Sequence, residues 1–275
     1  LVRVVQGCGL VTMVLNLMAL WKQERVTPMT RAERAAPRPR FSDAWADLMA
    51  GGTAGRLLAV VVVGTLAFNM QDVLLEPYGG EILGLSVSKT TLLTAVYALG
   101  ALFGFVLAGR WLARGLDPYR MAARGILAGI VAFSAVIFAA PLHSTAIFYG
   151  GAAGIGLGAG LFAVSTLQSA MTLQTGSAGA GLALGAWGAA QATAAGLSIF
   201  LGGSLRDIVG HLATNGTLGA GLTDPALGYS FVYHLEIGLL FATLAVLGPL
   251  VRVGMPEPKP QQNGKTALRL TEFPT

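Results

Sequence analysis

The sequence predicts an all-α, polytopic membrane protein with about seven transmembrane helices. Apolar residues make up 54% of the 275 residues and charged residues only 11%, whereas typical soluble domains are about 25% charged. The mean hydropathy is +0.66, and the apolar residues occur in long uncharged runs. The basic residues cluster in every second connection between these runs, as alternating membrane crossings require.

Seven apolar runs are long enough, or nearly so, to cross about 30 Å of hydrocarbon as a helix of about 20 residues. The first run is short at its N-terminal side, and the chain begins at Leu1 instead of Met. We therefore expect that the beginning of the protein is missing. The runs are residues 4–20, 57–75, 90–109, 121–140, 146–167, 178–203 and 229–251.

The basic side chains predict how these helices are oriented. Of the 18 Lys and Arg residues, all but Arg3, Lys89 and Arg206 lie between spans one and two, between spans three and four, or after span seven. Positive residues are enriched on the cytoplasmic side of membranes, so we expect the long linker and the C-terminus to be cytoplasmic. The net charge of +5 is thus a topology signal, and we expect no nucleic-acid partner.

The connection between spans one and two predicts a short helix of its own. Phe41, Trp45, Leu48 and Met49 recur at helical spacing, with Ser42 as an N-cap. This pattern indicates an amphipathic helix in the membrane interface, and a disordered linker is the alternative.

The order of these segments predicts four parts. We expect the last helix of a missing N-terminal half at 1–20, a cytoplasmic linker with the amphipathic helix at 21–55, a six-helix bundle at 56–252, and a disordered cytoplasmic tail at 253–275. Two six-helix halves joined by a long cytoplasmic loop are typical of major-facilitator-like transporters. The Gly- and Arg-containing loop at residues 104–120 resembles a loop of that superfamily.

Glycines recur at four-residue spacing in several spans. Small residues at i and i+4 let transmembrane helices approach closely, so we interpret these glycines as helix-packing positions. A transport hinge or a flat face for a planar ligand is the alternative. The glycines are Gly100, Gly104, Gly150, Gly154, Gly158, Gly181 and Gly185.

One polar segment lies within or next to span two. Asn69, Asp72 and Glu76 recur at i, i+3 and i+7, which would put them on one face of a continuous helix. With Gln71 and Tyr78 they are candidates for a pigment, substrate or partner site at the periplasmic end, because charged residues in a span are costly. The alternative is an interfacial helix end in which residues 77–80 form a turn.

His234 and Glu236 lie in the first turns of span seven and are further candidates for binding a pigment or a partner. A neutral imidazole is a good axial ligand for the magnesium of a chlorin, although an interfacial His that is hydrogen-bonded to a neighbour is the more common arrangement. His143 and His211 are expected in solvated loops.

The sequence carries no motif that indicates catalysis. It lacks G-x-S-x-G, H-E-x-x-H and G-x-x-x-x-G-K-[ST]. Cys8 is the only cysteine, so no disulfide can form within the chain, and no CxxC or Cys/His cluster suggests a metal site. We therefore expect neither an enzyme nor a metal centre.

The segment Gln-Asp-Val-Leu-Leu-Glu-Pro-Tyr-Gly-Gly-Glu at 71–81 resembles the PucC/LhaA family of photosynthetic bacteria. The resemblance runs from about residue 43 to residue 251 and includes Thr-Thr-Leu-Leu-Thr-Ala at 90–95 and Arg-Gly-Leu-Asp-Pro at 114–118. It implies the C-terminal half of a twelve-helix, major-facilitator-like protein of the intracytoplasmic photosynthetic membrane.

The same resemblance implies a light-harvesting complex assembly factor. Such a protein would handle bacteriochlorophyll and bind antenna polypeptides, and the reaction-centre complex is a further possible partner besides membrane lipid. A proton-coupled secondary transporter, with Asp72 or Glu76 as the titrating carboxylate, is the alternative. Acids near one end of the bundle fit a transporter less well than acids at the bilayer midplane.

Overall fold

The computed structural model describes residues 2–21, 40–173, 179–219, 221–224 and 226–253. The chain divides into two units, Leu1–Arg40 and Phe41–Thr275. In the first unit, helix α1 covers Val2–Trp21, which is where the first span was predicted. Its apolar stretch Gly9–Met18 is shorter than a membrane crossing needs, so this seventh span stays a prediction. Linker residues 22–39 and tail residues 254–275 lie outside the described residues.

The second unit is all-helical within the described residues and contains six helical segments long and apolar enough to cross a membrane. A short helix precedes them, and the first segment is interrupted by a 3₁₀ turn at Met70–Val73. The helices are α2 (Phe41–Ala50), α3 (Thr53–Asn69), α4 (Leu75–Glu81), α5 (Val87–Ala113), α6 (Pro118–Ala139), α7 (Thr145–Thr172), α8 (Gly179–Thr214) and α9 (Leu227–Val253). The prediction of an all-α, multi-pass membrane protein is confirmed.

Helix α7 packs most closely against α5 and α6, and helix α3 packs against α8 and α9. The core between them is aromatic at its centre, where Phe68 lies 5.7 Å from the Phe162 ring and 6.4 Å from the Phe133 ring. Phe68 is only 2% exposed. Consecutive long helices run in alternating directions, so Arg110, Arg114, Arg120 and Arg124 share one end of the bundle, here called the basic end. The other end is called the Glu81 end.

Two capping features set the ends of helices at the basic end. The Asp117 carboxylate accepts hydrogen bonds from the backbone N–H groups of Tyr119 and Arg120 at 2.7 and 3.2 Å, and Pro118 follows as the first residue of α6. This is a favourable helix start, since an acidic N-cap satisfies free N–H groups and proline needs none. Gly52 adopts a φ of 68°, a left-handed conformation that glycine reaches without strain, and it separates α2 from α3.

The predicted amphipathic helix is present as α2, but its predicted N-cap is wrong. Ser42 lies inside the helix, which begins at Phe41, and the Ser42 hydroxyl donates to the Asp43 carboxylate at 3.1 Å. Leu48 is buried beside Ala54 and Ala183, so tertiary contacts fix this helix on α3 and α8.

Helix α8 is longer than its apolar run predicted. The expected end was residue 203, whereas the helix continues to Thr214. His211 therefore lies in the last turn of a helix and not in a loop, and its ring nitrogen Nε2 lies 2.9 Å from the Asn215 amide nitrogen. His143 lies in the expected loop, with a φ of 47°.

Candidate functional site

The polar segment 69–81 does not form the continuous helix that its spacing predicted. Helix α3 ends at Asn69, a 3₁₀ turn follows, and α4 begins at Leu75. The single polar face of Asn69, Asp72 and Glu76 is therefore broken. Asn69 lines a small cavity of about 120 Å³ together with Tyr97 and Gln191.

The alternative turn at residues 77–80 is also wrong. These residues lie inside α4, and Tyr78 and Gly79 are buried. Pro77 fits because it is the third residue of the helix, where the backbone N–H would have no partner within the helix anyway. The chain turns instead after Glu81, with Gly84 at a φ of 64°.

Asp72 and Glu76 have separate hydrogen-bond donors. Gln71 Nε2 donates to Asp72 Oδ1 at 2.5 Å, and the Thr94 hydroxyl donates to Glu76 Oε1. Asp72 and Glu76 are exposed on the surface of the second unit, whereas Gln71 is buried. The two carboxylates thus make separate contacts instead of sharing one helical face.

Tyr78 is the centre of an aromatic cluster below the Glu81 end. Its ring centroid lies 5.6 Å from Phe148, 5.4 Å from Tyr229 and 5.5 Å from Tyr233, the last in edge-to-face geometry. Such geometry is favourable for aromatic pairs. Tyr78 therefore joins α4 to α7 and α9 in the core.

Glu236 lies in the early turns of α9, as expected, and is fully buried in the core. Its exposure is 0%, and neither carboxylate oxygen has a hydrogen-bond partner among the described residues. It is nine residues into α9, or about 14 Å from that end of the helix at 1.5 Å per residue. Helical periodicity explains why Glu236 is buried. The residues that α9 turns toward the core at this spacing are Tyr229, Tyr233, Glu236 and Leu240.

His234 lies on the opposite, exposed face of α9. Its Nδ1 lies 2.6 Å from the Ser230 carbonyl oxygen. A carbonyl oxygen can only accept, so Nδ1 carries the proton and Nε2 keeps a free lone pair. Phe231 and Phe241 are exposed on the same face, and Gly238 leaves open space one turn away.

An ion-pair cluster joins three helices at the Glu81 end. Arg206 Nη2 donates to Glu81 Oε2 and to the Tyr229 hydroxyl, both at 2.6 Å. The Tyr229 hydroxyl donates to Glu81 Oε2 at 2.7 Å, and the Arg206 guanidinium carbon lies 4.5 Å from the Tyr229 ring centroid. This contact was not predictable from local sequence patterns, because 125 residues separate Arg206 from Glu81.

An apolar groove of about 670 Å³ lies between α2, α3 and one face of α8. One wall carries Phe41 and Trp45, whose rings stack with centroids 6.0 Å apart. The other wall is flat, because it consists largely of glycine and alanine. The lining residues, here called the α8 groove, are Phe41, Trp45, Leu58, Val62, Gly181, Leu182, Gly185, Ala186, Ala189, Ala190, Thr193, Ala194 and Leu197.

The seven glycines predicted to pack helices divide into two groups. A methyl group at Gly100 would overlap the Ala153 carbonyl, and one at Gly104 would lie 2.5 Å from the Leu157 carbonyl oxygen. Gly154 and Gly158 lie equally close to α6, against Ala132 and Gly125.

The remaining three glycines do not pack a helix. A methyl group at Gly150, Gly181 or Gly185 would meet no atom of the described residues within 4 Å. The interpretation as helix-packing positions is therefore wrong for these three within this unit. Gly181 and Gly185 line the α8 groove instead.

Residues 1–255 match the protein family described as "PUCC protein". The chain is 59% identical over its whole length to the "Uncharacterized protein in puhA-bchM intergenic region" of Rhodobacter capsulatus, covering 57% of that protein. It is 43% identical over 92% of its length to "Protein PucC" of Cereibacter sphaeroides, covering 53% of that protein.

A more distant relative is the "Bacteriochlorophyll synthase 44.5 kDa chain" of Rhodobacter capsulatus, 27% identical over 88% of the chain and 57% of that protein. The chain thus spans about half the length of the curated relatives it matches.

Proposed function

The chain belongs to the PUCC protein family, and on this premise we propose that it acts in assembling light-harvesting antenna complexes in the bacterial photosynthetic membrane. It would hold bacteriochlorophyll and the transmembrane helices of antenna polypeptides during assembly, as a binding protein and not as an enzyme. The reaction-centre complex is a further proposed partner.

The α8 groove is the observation that carries this proposal. Its volume of about 670 Å³ falls in the range of about 300–1,000 Å³ that ligand sites occupy. The glycine and alanine wall lets a planar ring or a helix backbone approach closely, and the Phe41 and Trp45 rings offer an aromatic wall opposite. Thr193 is the one hydroxyl-bearing residue among those that line the groove, so the lining does not favour a hydrophilic solute.

His234 supports the pigment part of the proposal. Histidines that bind metals donate their second ring N–H to an acceptor, which fixes the tautomer, and the Ser230 carbonyl provides that acceptor here. Nε2 of His234 would hold the magnesium of bacteriochlorophyll, and Gly238 would leave room for the macrocycle beside the helix. The bound pigment would supply the chromophore that the antenna needs.

The test begins with full-length protein extracted in mild detergent from pigment-containing membranes. We expect a chlorin absorption band and co-purified antenna polypeptides, identified by mass spectrometry. Gly185→Leu would fill the α8 groove and should remove most of the bound material. Gly196→Leu is the matched control, because Gly196 lies on the same helix, also has open space around it and does not line the groove.

His234→Leu should lower the amount of bound pigment, whereas His211→Leu, an exposed histidine on α8, should not. Colourless wild-type protein without antenna polypeptides would refute the proposal. Equal losses from Gly185→Leu and Gly196→Leu would refute the role of the groove.

A proton-coupled transporter is the second candidate, and the depth of Glu236 is the one observation in its favour. Buried carboxyl groups in a bundle interior are typical of coupling sites. Substrate-dependent uptake into pigment-free vesicles, lost in Asp72→Asn, would support it. Absence of any uptake together with a bound chlorin would favour the assembly role.

A further inference from the structure

The interior of the bundle contains a group of polar side chains with unused hydrogen-bonding atoms. Gln71 Oε1, the Tyr233 hydroxyl and both carboxylate oxygens of Glu236 are buried and have no partner among the described residues. The three residues are 1%, 0% and 0% exposed. Buried polar atoms in native proteins almost always have a partner, so a set of them indicates a bound water, ion or proton.

These side chains belong to one site. Glu236 lies within electrostatic range of Asp72 and beside the backbone of Gln71 in the 3₁₀ turn. Tyr97 of α5 is within range of both Asp72 and Glu236, and Tyr233 is one turn before Glu236 on α9. We call Gln71, Asp72, Tyr97, Tyr233 and Glu236 the Glu236 cluster.

The cluster has acidic groups and no basic group to balance them. Of the groups that face Glu236, Asp72 is on the 3₁₀ turn, Tyr97 is on α5 and Tyr233 is on α9 itself, while Tyr78 of α4 faces Tyr233. The two ion pairs formed by the described residues both involve Arg206. An ionised carboxylate buried without a countercharge costs several kcal/mol or more.

We propose that the Glu236 cluster binds one small positive charge, a proton or a monovalent cation, in the interior of the bundle. The free atoms are all oxygens, which are the ligands of hard cations and the acceptors of a proton. Glu236 is the fully buried carboxylate of the cluster and carries one negative charge when ionised, so one positive charge balances it. Either ligand makes the Glu236 site neutral.

Asp72 is the entrance to this site. It is exposed while its neighbour Gln71 is buried, and the Gln71 amide donates to the Asp72 carboxylate. The amide thus turns its nitrogen toward Asp72 and leaves its oxygen free. The Gln71 oxygen is thus available to a charge bound at the buried site.

Thermal unfolding of the full-length protein in detergent tests the proposal. The midpoint is measured in NaCl or choline chloride at constant ionic strength, and across a pH series. The variants are Glu236→Gln, which keeps the shape and removes the charge, and Glu76→Gln as control, because Glu76 is exposed and bonded to Thr94 outside the cluster.

If the ligand is a cation, the midpoint rises with Na⁺ and saturates. If it is a proton held by the folded state, the midpoint falls as pH rises. In both cases Glu236→Gln loses the dependence and Glu76→Gln keeps it. Equal dependence on Na⁺ and on pH in the wild type and in Glu236→Gln overturns the proposal.

A second measurement uses the wild-type protein alone and so does not depend on whether a variant folds. A hydrophobic carbodiimide reacts with protonated carboxyl groups, and mass spectrometry of the peptides identifies the labelled residue. Labelling of Glu236 that Na⁺ prevents assigns a cation, and labelling that Na⁺ leaves unchanged assigns a proton. No labelling of Glu236 under any of these conditions overturns the proposal.

Discussion

Replacing Gly100 with alanine should destabilise the bundle, because α5 and α7 touch backbone to backbone at this position. The added methyl would overlap the carbonyl oxygen of Ala153 and lie 2.9 Å from its carbonyl carbon. Backbone atoms cannot rotate away as a side chain can. On the facing helix, a methyl at Gly156 would in turn overlap the Tyr97 carbonyl, so the two helices interlock from both sides.

Two opposing effects set the magnitude. Alanine gains about 1 kcal/mol over glycine in helix propensity, whereas overpacking costs about 1–3 kcal/mol, and a rigid contact belongs at the upper end. We expect a net loss of about 2 kcal/mol for Gly100→Ala, from these two figures. Gly109→Ala is the matched control on the same helix, since a methyl there meets no described atom within 4 Å. It should be neutral or up to about 1 kcal/mol more stable.

The assay is reversible unfolding in mixed micelles as the mole fraction of dodecyl sulfate rises, followed by far-UV circular dichroism. Gly100→Ala should unfold at a lower mole fraction than the wild type, and Gly109→Ala at an equal or higher one. If Gly100→Ala unfolds at the same point as Gly109→Ala or later, the close contact of α5 and α7 is not what holds this part of the bundle together.

Three further substitutions are predicted for the same unfolding assay. Phe68→Ala empties the aromatic centre of the core and should cost about 3–5 kcal/mol; a loss below about 1 kcal/mol would contradict that packing. Asp117→Ala removes the N-cap of α6 and should cost about 1 kcal/mol, while Asp117→Asn, which keeps a capping oxygen, should lose less. Arg206→Gln breaks the contact with Glu81, and because both side chains are partly exposed the loss should be about 1 kcal/mol or less, falling further in high salt. An effect of Arg206→Gln that does not depend on salt would show that charge is not its cause.

The sequence was sufficient for the helices because hydropathy and charge act locally. The apolar runs located the six long crossings, and Phe41, Trp45 and Leu48 located α2. The break after Asn69 was not predictable from spacing, since the residues 70–75 carry no proline and no glycine and the interruption depends on packing with α8. A methyl at Gly202 of α8 would lie 2.7 Å from the Met70 carbonyl oxygen, which is a contact between distant parts of the chain.

The candidate site was predicted only in part, because local patterns select residues but do not show which of them come together in the fold. Asp72 and Glu236 were selected as charged residues in apolar surroundings, but their proximity depends on the packing of α9 against the 3₁₀ turn. Tyr97 and Thr94 were missed because a single hydroxyl in an apolar helix has no distinctive pattern. One sequence signal could have predicted the burial of Glu236. It lies between Tyr233 and Leu240 at the spacing of core-facing helix positions, and this spacing is a better guide to burial than its short distance from the end of the helix.

The length of α8 has a consequence for which molecules can reach it. Its 36 residues extend about 54 Å at 1.5 Å per residue, whereas the hydrocarbon layer is about 30 Å thick. The helix is therefore longer than the layer is thick, so part of it extends beyond the acyl chains. Lipid-soluble molecules can reach the part inside the layer by lateral diffusion, while water-soluble reagents and polypeptides reach only the part that extends beyond it.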